Sequence, residues 1–145
     1  MLPLTALIYG TLAAGAAFLL EILFLTGFSS GLTAFATGAL IEEGMKLLFL
    51  FQYQKRFPPS IPSSIPFQLF SFSLFGIGFA LIEIFLALPP DIGILFALVG
   101  IHTFTSLLLG YVLLSRERSS AFLPVGIISA VCAHTAYNLF IASLQ

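Results

Sequence analysis

The chain reads as all-α, a polytopic transmembrane helix bundle of about five spans, and three observations lead there. Of its 145 residues, 59% are hydrophobic and 8% charged, with a mean hydropathy of +1.13; a water-soluble domain carries roughly a quarter charged residues. The apolar residues fall into five runs, each near the ~20 residues a helix needs to cross a hydrocarbon core about 30 Å thick. Breaker-rich connectors part the runs: "TGFSSG", "QKRFPPSIPSSIP", "PPDIG" and "SRERSS". The runs are too long, and alternate too little, for barrel strands.

The first span covers Leu2 to Thr26. It has no basic flank, and its apolar stretch exceeds the roughly 7–15 residues of a signal peptide, so it is expected to stay as a mature helix. The second span, Leu32 to Tyr53, carries the surprise of the sequence: Glu42, Glu43 and Lys46 in "GALIEEGMKLLFLF". Lys55 and Arg56 follow it, and then a Pro/Ser-rich segment from Pro58 to Pro66 whose prolines exclude a long helix. The third span, Phe67 to Leu88, carries Glu83; the fourth, Ile92 to Leu114, carries His102; the fifth, Ala121 to Ser143, carries His134 and Asn138. No repeat divides the chain, which gives one integral-membrane domain over residues 1–145. A net charge of −1 gives no hint of a nucleic-acid partner, and the single Cys132 excludes an internal disulfide.

Charge sets the expected orientation. Lys55 and Arg56 follow the second span, and Arg116 and Arg118 the fourth. Five spans put both pairs and the N-terminus on one face, while the opposite connectors hold Asp91 and no Lys or Arg. The positive-inside bias then places the N-terminus in the cytoplasm and the C-terminus outside, as for a protein of the plasma (inner) membrane.

At 1.5 Å per residue the buried polar groups agree in depth. Counted from the outer ends of their spans, Glu42 and His102 lie about 15 Å deep, His134 about 14 Å and Glu83 about 8 Å. Glu21, close to the outer end of the first span, is accounted for by contact with water. A charge at a helix centre costs about 2.5–3.5 kcal/mol on insertion scales, so such groups are functional candidates by default. Lys46 is i,i+4 from Glu42 and i,i+3 from Glu43, so it can neutralise either acid and leaves the other spare.

A carboxylate beside an imidazole in a dry cavity can activate a water. Two imidazoles and a carboxylate, here His102, His134 and Glu83, also make a three-ligand set for Zn²⁺ with one position open. Asn138 is a neutral group able to hold a carbonyl oxygen. Neither histidine lies in an HExxH pattern, so the zincin motif does not apply.

These residues, in this order, resemble the PrsW family of intramembrane proteases, relatives of the CAAX prenyl proteases and bacteriocin-processing membrane enzymes. "EEGMK" matches the pattern E-E-x-x-K, "FALIE" supplies Phe79 and Glu83, "HTFTSLLLGY" supplies His102, and "HTAYN" supplies His134 and Asn138. Ile84 stands where relatives often have Asn. The resemblance implies a hydrolase that cleaves a membrane-anchored protein substrate near the outer leaflet. Glu42 or Glu43 would be the base, the other being tied to Lys46. His102, His134 and Glu83 would bind water or Zn²⁺, and Asn138 would hold the scissile carbonyl. It also implies a rival, since a non-catalytic scaffold subunit of γ-secretase belongs to the same superfamily. An ion or metal transporter using the same groups, or a haem protein with His102 and His134 as axial ligands, are the readings from other classes.

Overall fold

The computed structural model describes residues 2–25, 31–57, 65–87, 91–115 and 122–144. Arg116, Arg118 and the connector residues 58–64 lie outside that set, as do the expected span ends Thr26, Leu88 and Ala121. The described residues form five helices and no strand: α1 (Leu2–Leu25), α2 (Leu32–Arg56), α3 (Ile65–Ala87), α4 (Ile92–Ser115) and α5 (Phe122–Ser143).

Local chemistry sets the ends. Gly31 precedes α2 with φ 144°, a left-handed backbone that glycine adopts without strain. Lys55 and Arg56 close α2, three residues beyond the expected Tyr53, and favour the negative end of the helix dipole. Pro66 sits in the first turn of α3, where its missing N–H costs nothing. Asp91 caps α4: its Oδ1 accepts from the Gly93 N–H at 2.6 Å and the Ile94 N–H at 3.3 Å.

Four helices (α1, α3, α4 and α5) are long and apolar enough to cross a membrane, which makes this an integral membrane protein. The fifth, α2, is as long, but Glu42, Glu43 and Lys46 interrupt its apolar run. The distribution of polarity explains how it is accommodated. Glu43, Lys46, His102, Thr105, Ser106 and His134 are fully buried, whereas Leu23, Phe85, Ile92 and Phe96 are 69–74% exposed. Polar groups inside and large apolar groups outside is the arrangement lipid requires, because the bundle interior is the only place where charges find partners.

The helices pack in the order α1, α3, α4, α5, α2, closing back on α1, with α2 also against α4. Small residues permit the closest crossings, as expected for membrane helices. Ala6, Gly10, Ala13, Ala14 and Ala17 form a buried seam on α1 that faces α3. Gly78 lets the Leu7 backbone of α1 approach one side of α3, and Gly76 lets the His102 and Thr103 backbone of α4 approach another. Gly76 thus brings α4 onto α3 at the residue that carries an imidazole.

Candidate functional site

The interior of the ring holds the polar residues singled out in the sequence. Lys46 Nζ donates to Glu43 Oε1 at 2.6 Å and to Thr105 Oγ1 at 3.0 Å, and lies 4.6 Å from the centre of the Phe79 ring. Of the two acids the lysine can reach, it therefore takes Glu43. The same Glu43 Oε1 lies 2.7 Å from His134 Nδ1. A carboxylate, an ammonium and an imidazole, all fully buried, form one chain across α2 and α5. A second pair spans α3 and α4, where His102 Nε2 contacts Glu83 Oε2. The two rings stand edge to face, their centroids 5.0 Å apart, and Phe79 stacks at 4.9 Å on His102.

Against an ionised carboxylate, which only accepts, each imidazole donates its N–H and its other nitrogen keeps a free lone pair. Those nitrogens, His102 Nδ1 and His134 Nε2, are buried and have no hydrogen-bond partner. Glu42 Oε2 is in the same condition and lies 3.7 Å from His134 Nε2. One donor atom from each of Glu42, His102 and His134 lies within 4.8 Å of those of the other two. Points that close share a centre no farther than about 2.8 Å from each (4.8 Å divided by √3), which is hydrogen-bonding distance for a water.

Three converging acceptors need positive charge or donated hydrogens. A water donates two. A divalent cation would satisfy all three, and two imidazoles with one carboxylate are a three-ligand set for Zn²⁺. The donor set therefore fits a metal as well as a water. The ligand set expected from sequence was His102, His134 and Glu83; in the structure Glu42 joins the histidines, and Glu83 stands behind His102 as the carboxylate that orients it. Glu43 plays that part for His134.

A cavity of about 200 Å³ adjoins this centre, between α1 and α3. Ala14, Ala17, Phe79 and Ile82 wall it, Glu42 and Glu83 face it from the centre, and Glu21 lies at its α1 side. The Glu42 and Glu83 side chains are 12% and 32% exposed, whereas those of both histidines are sealed. Asn138 is half-buried, one turn beyond His134 on α5.

Sequence reasoning set Glu21 aside as a residue in contact with water. It is instead half-buried in the cavity wall, its carboxyl within hydrogen-bonding reach of Glu42. Depth was the missed signal: Glu21 lies five residues from Thr26, as Glu83 does from Leu88. Thr105, which the sequence did not single out, is the Lys46 acceptor; its position three residues after His102 put it on the same helix face.

No protein-family model, curated protein or solved structure matches this chain.

Proposed function

We propose that the protein is a five-span intramembrane protease of the PrsW type, which hydrolyses a membrane-anchored protein at the Glu42–His102–His134 centre. The single observation that supports this most is that Glu42, His102 and His134, from three helices, each bring a ligand atom within 4.8 Å of the others, each imidazole held from behind by its own carboxylate. The residue order shared with the PrsW pattern supports the same reading, with α2 as the fifth span, the N-terminus in the cytoplasm and a site opening toward the outer leaflet of the plasma membrane.

The chemistry follows from the residue roles. A water at the centre gives a proton to Glu42, and its oxygen bonds to the scissile carbonyl carbon. Asn138 holds the carbonyl oxygen as charge develops on it. Glu42 then passes the proton to the amide nitrogen as the C–N bond breaks. Glu43 and Glu83 keep both imidazoles in the tautomer that turns a lone pair to the centre, and Lys46 holds Glu43 in place. A Zn²⁺ bound by Glu42, His102 and His134 would acidify the water in place of Glu42, which would then be a ligand rather than the base.

The test is cleavage of a single-span reporter in reconstituted membranes. Wild type is expected to cut, and E42Q and H102A to fall by several orders of magnitude. Full cleavage by both variants defeats the assignment, as does cation flux through liposomes without cleavage. A chelator arm decides whether Zn²⁺ takes part: loss reversed by added Zn²⁺ assigns the centre to a metal, and insensitivity assigns the activation to Glu42 alone.

A further inference from the structure

The seam between α1 and α3 is held unequally along its length. The two helices run side by side in one direction: Leu7 and Gly10 meet the stretch from Phe75 to Phe79, and Ala14 to Glu21 face Phe79 to Leu86. At the first of these the backbones touch, and a Cβ on Gly10 or on Gly78 would run into the carbonyl oxygen of Phe75 or of Leu7. Beyond that crossing the same helices have the cavity of about 200 Å³ between them. Glu42 and Glu83 face it, so it is the side from which the centre adjoins open space. It is smaller than the roughly 300–1,000 Å³ of a site for a drug-sized ligand, so no length of polypeptide enters until a helix moves.

The bonds between helices single out α1. Lys46 ties α2 to α4 through Thr105, Glu43 ties α2 to α5 through His134, and Glu83 ties α3 to α4 through His102. Moving any of these three dismantles the centre. Helix α1 packs on α2 and α3, and its seam is built of Ala6, Gly10, Ala13, Ala14 and Ala17. Its C-terminal half reaches the centre with a single acidic side chain, Glu21, and turns Leu19, Ile22, Leu23 and Phe24 outward at 48–72% exposure. Parting apolar helix faces in lipid forfeits little, because the acyl chains that replace them are as apolar as the partner. Leu25 lies 15 residues beyond Gly10, about 22 Å of helix, so a tilt about the crossing opens the seam most at its C-terminal end. The occupant of the opened seam has to present apolar side chains to lipid, to Ala17 and to Ile82, and a peptide bond to Glu42. A membrane-spanning segment does both.

We propose that the substrate's membrane-spanning segment docks from the lipid between the C-terminal halves of α1 and α3, with α1 tilting aside about the Gly10–Gly78 crossing. The inference rests on the proteolytic reading, and two readouts separate its failure from the failure of that reading. The first locks the seam in a C132S background: A17C/I82C is bridged by a short bis-methanethiosulfonate and released by dithiothreitol. Bridging should abolish reporter cleavage and release should restore it, whereas bridging Y9C/F49C, which joins α1 to α2 at their other ends, should leave cleavage at the level of its own reduced form. The second readout needs no cleavage. With p-benzoylphenylalanine placed in E42Q, an intact single-span reporter should photo-cross-link from positions 18 and 86, at the two lips of the seam, and not from positions 104 and 128 on α4 and α5. Cleavage that survives the A17C/I82C bridge overturns the route, as does cross-linking that is absent at 18 and 86 or equally strong at 104 or 128. Cross-linking confined to 18 and 86, with no reporter cut by wild type, supports the docking surface and overturns the protease.

Discussion

Substituting Gly76 with alanine tests how the fold delivers the site. A Cβ at this position would stand 2.5 Å from the His102 carbonyl oxygen and 2.6 Å from Thr103 Cα, where ordinary van der Waals contact begins at 3.4 Å. The obstructing atoms are backbone and cannot swing aside, so α4 must retreat from α3 by about 0.9 Å, the difference between those distances. The retreat occurs at His102 itself, whose bond to Glu83 crosses the same seam. Overpacking of this kind costs about 1–3 kcal/mol. A misplacement near 1 Å at a reacting group costs about a hundredfold in rate. Reporter cleavage by G76A is therefore expected to fall about a hundredfold while the protein remains folded by thermal unfolding in detergent. Gly44 provides the control, since it adjoins Glu43 yet no atom lies within 4 Å of a Cβ added there; G44A should cut as wild type does. Wild-type activity in G76A, or equal damage from G44A, would refute the claim that close approach at Gly76 positions the imidazole.

Other perturbations separate the roles of the charges. K46M strips a buried carboxylate of its ammonium and should cost about 3–5 kcal/mol in chemical or thermal unfolding, and K46M/E43Q should regain much of that stability without regaining cleavage. E42Q should abolish cleavage and E43Q reduce it about 10–100-fold, and the two should differ in stability: E43Q leaves Lys46 buried and unmatched, whereas Glu42 Oε2 has no partner to lose. E83Q should reduce cleavage about 10–100-fold, the usual effect of removing a carboxylate that orients a histidine. For orientation, single cysteines at Ser60 and Ser119 in a C132S background should label from the cytoplasmic side and one at Ser29 from the outside; labelling of Ser29 and Ser60 from the same side would remove α2 as a span.

Much of this architecture could be read before any coordinates. Five helices followed from runs of apolar residues and their breakers, because in lipid the backbone must satisfy itself within each segment. The common depth of Glu42, His102 and His134 followed from counting residues at a constant rise. Two things were not legible. Which acid takes Lys46 depends on partners far along the chain: Thr105 and His134 draw the ammonium and Glu43 together across α4 and α5, and no local spacing on α2 expresses that. The placement of α2 beside α5 rather than α3 decides that Glu42 joins both histidines while Glu83 meets His102 alone, and helix order around a ring leaves no periodic trace in sequence. Glu21 was discounted for a different reason, since a carboxylate near a helix end is normally solvated and only the neighbouring α3 encloses it.

Non-additivity of substitutions at the centre tests the account most directly. Cleavage rates of E42Q, H102A, H134A and the triple variant should be measured on one reporter, with folding confirmed for each. Groups that act on one water lose their function together, so each single variant should fall nearly as far as the triple. Losses that multiply from single to triple, or a single variant that keeps wild-type cleavage, would show that the three side chains do not share a reacting centre.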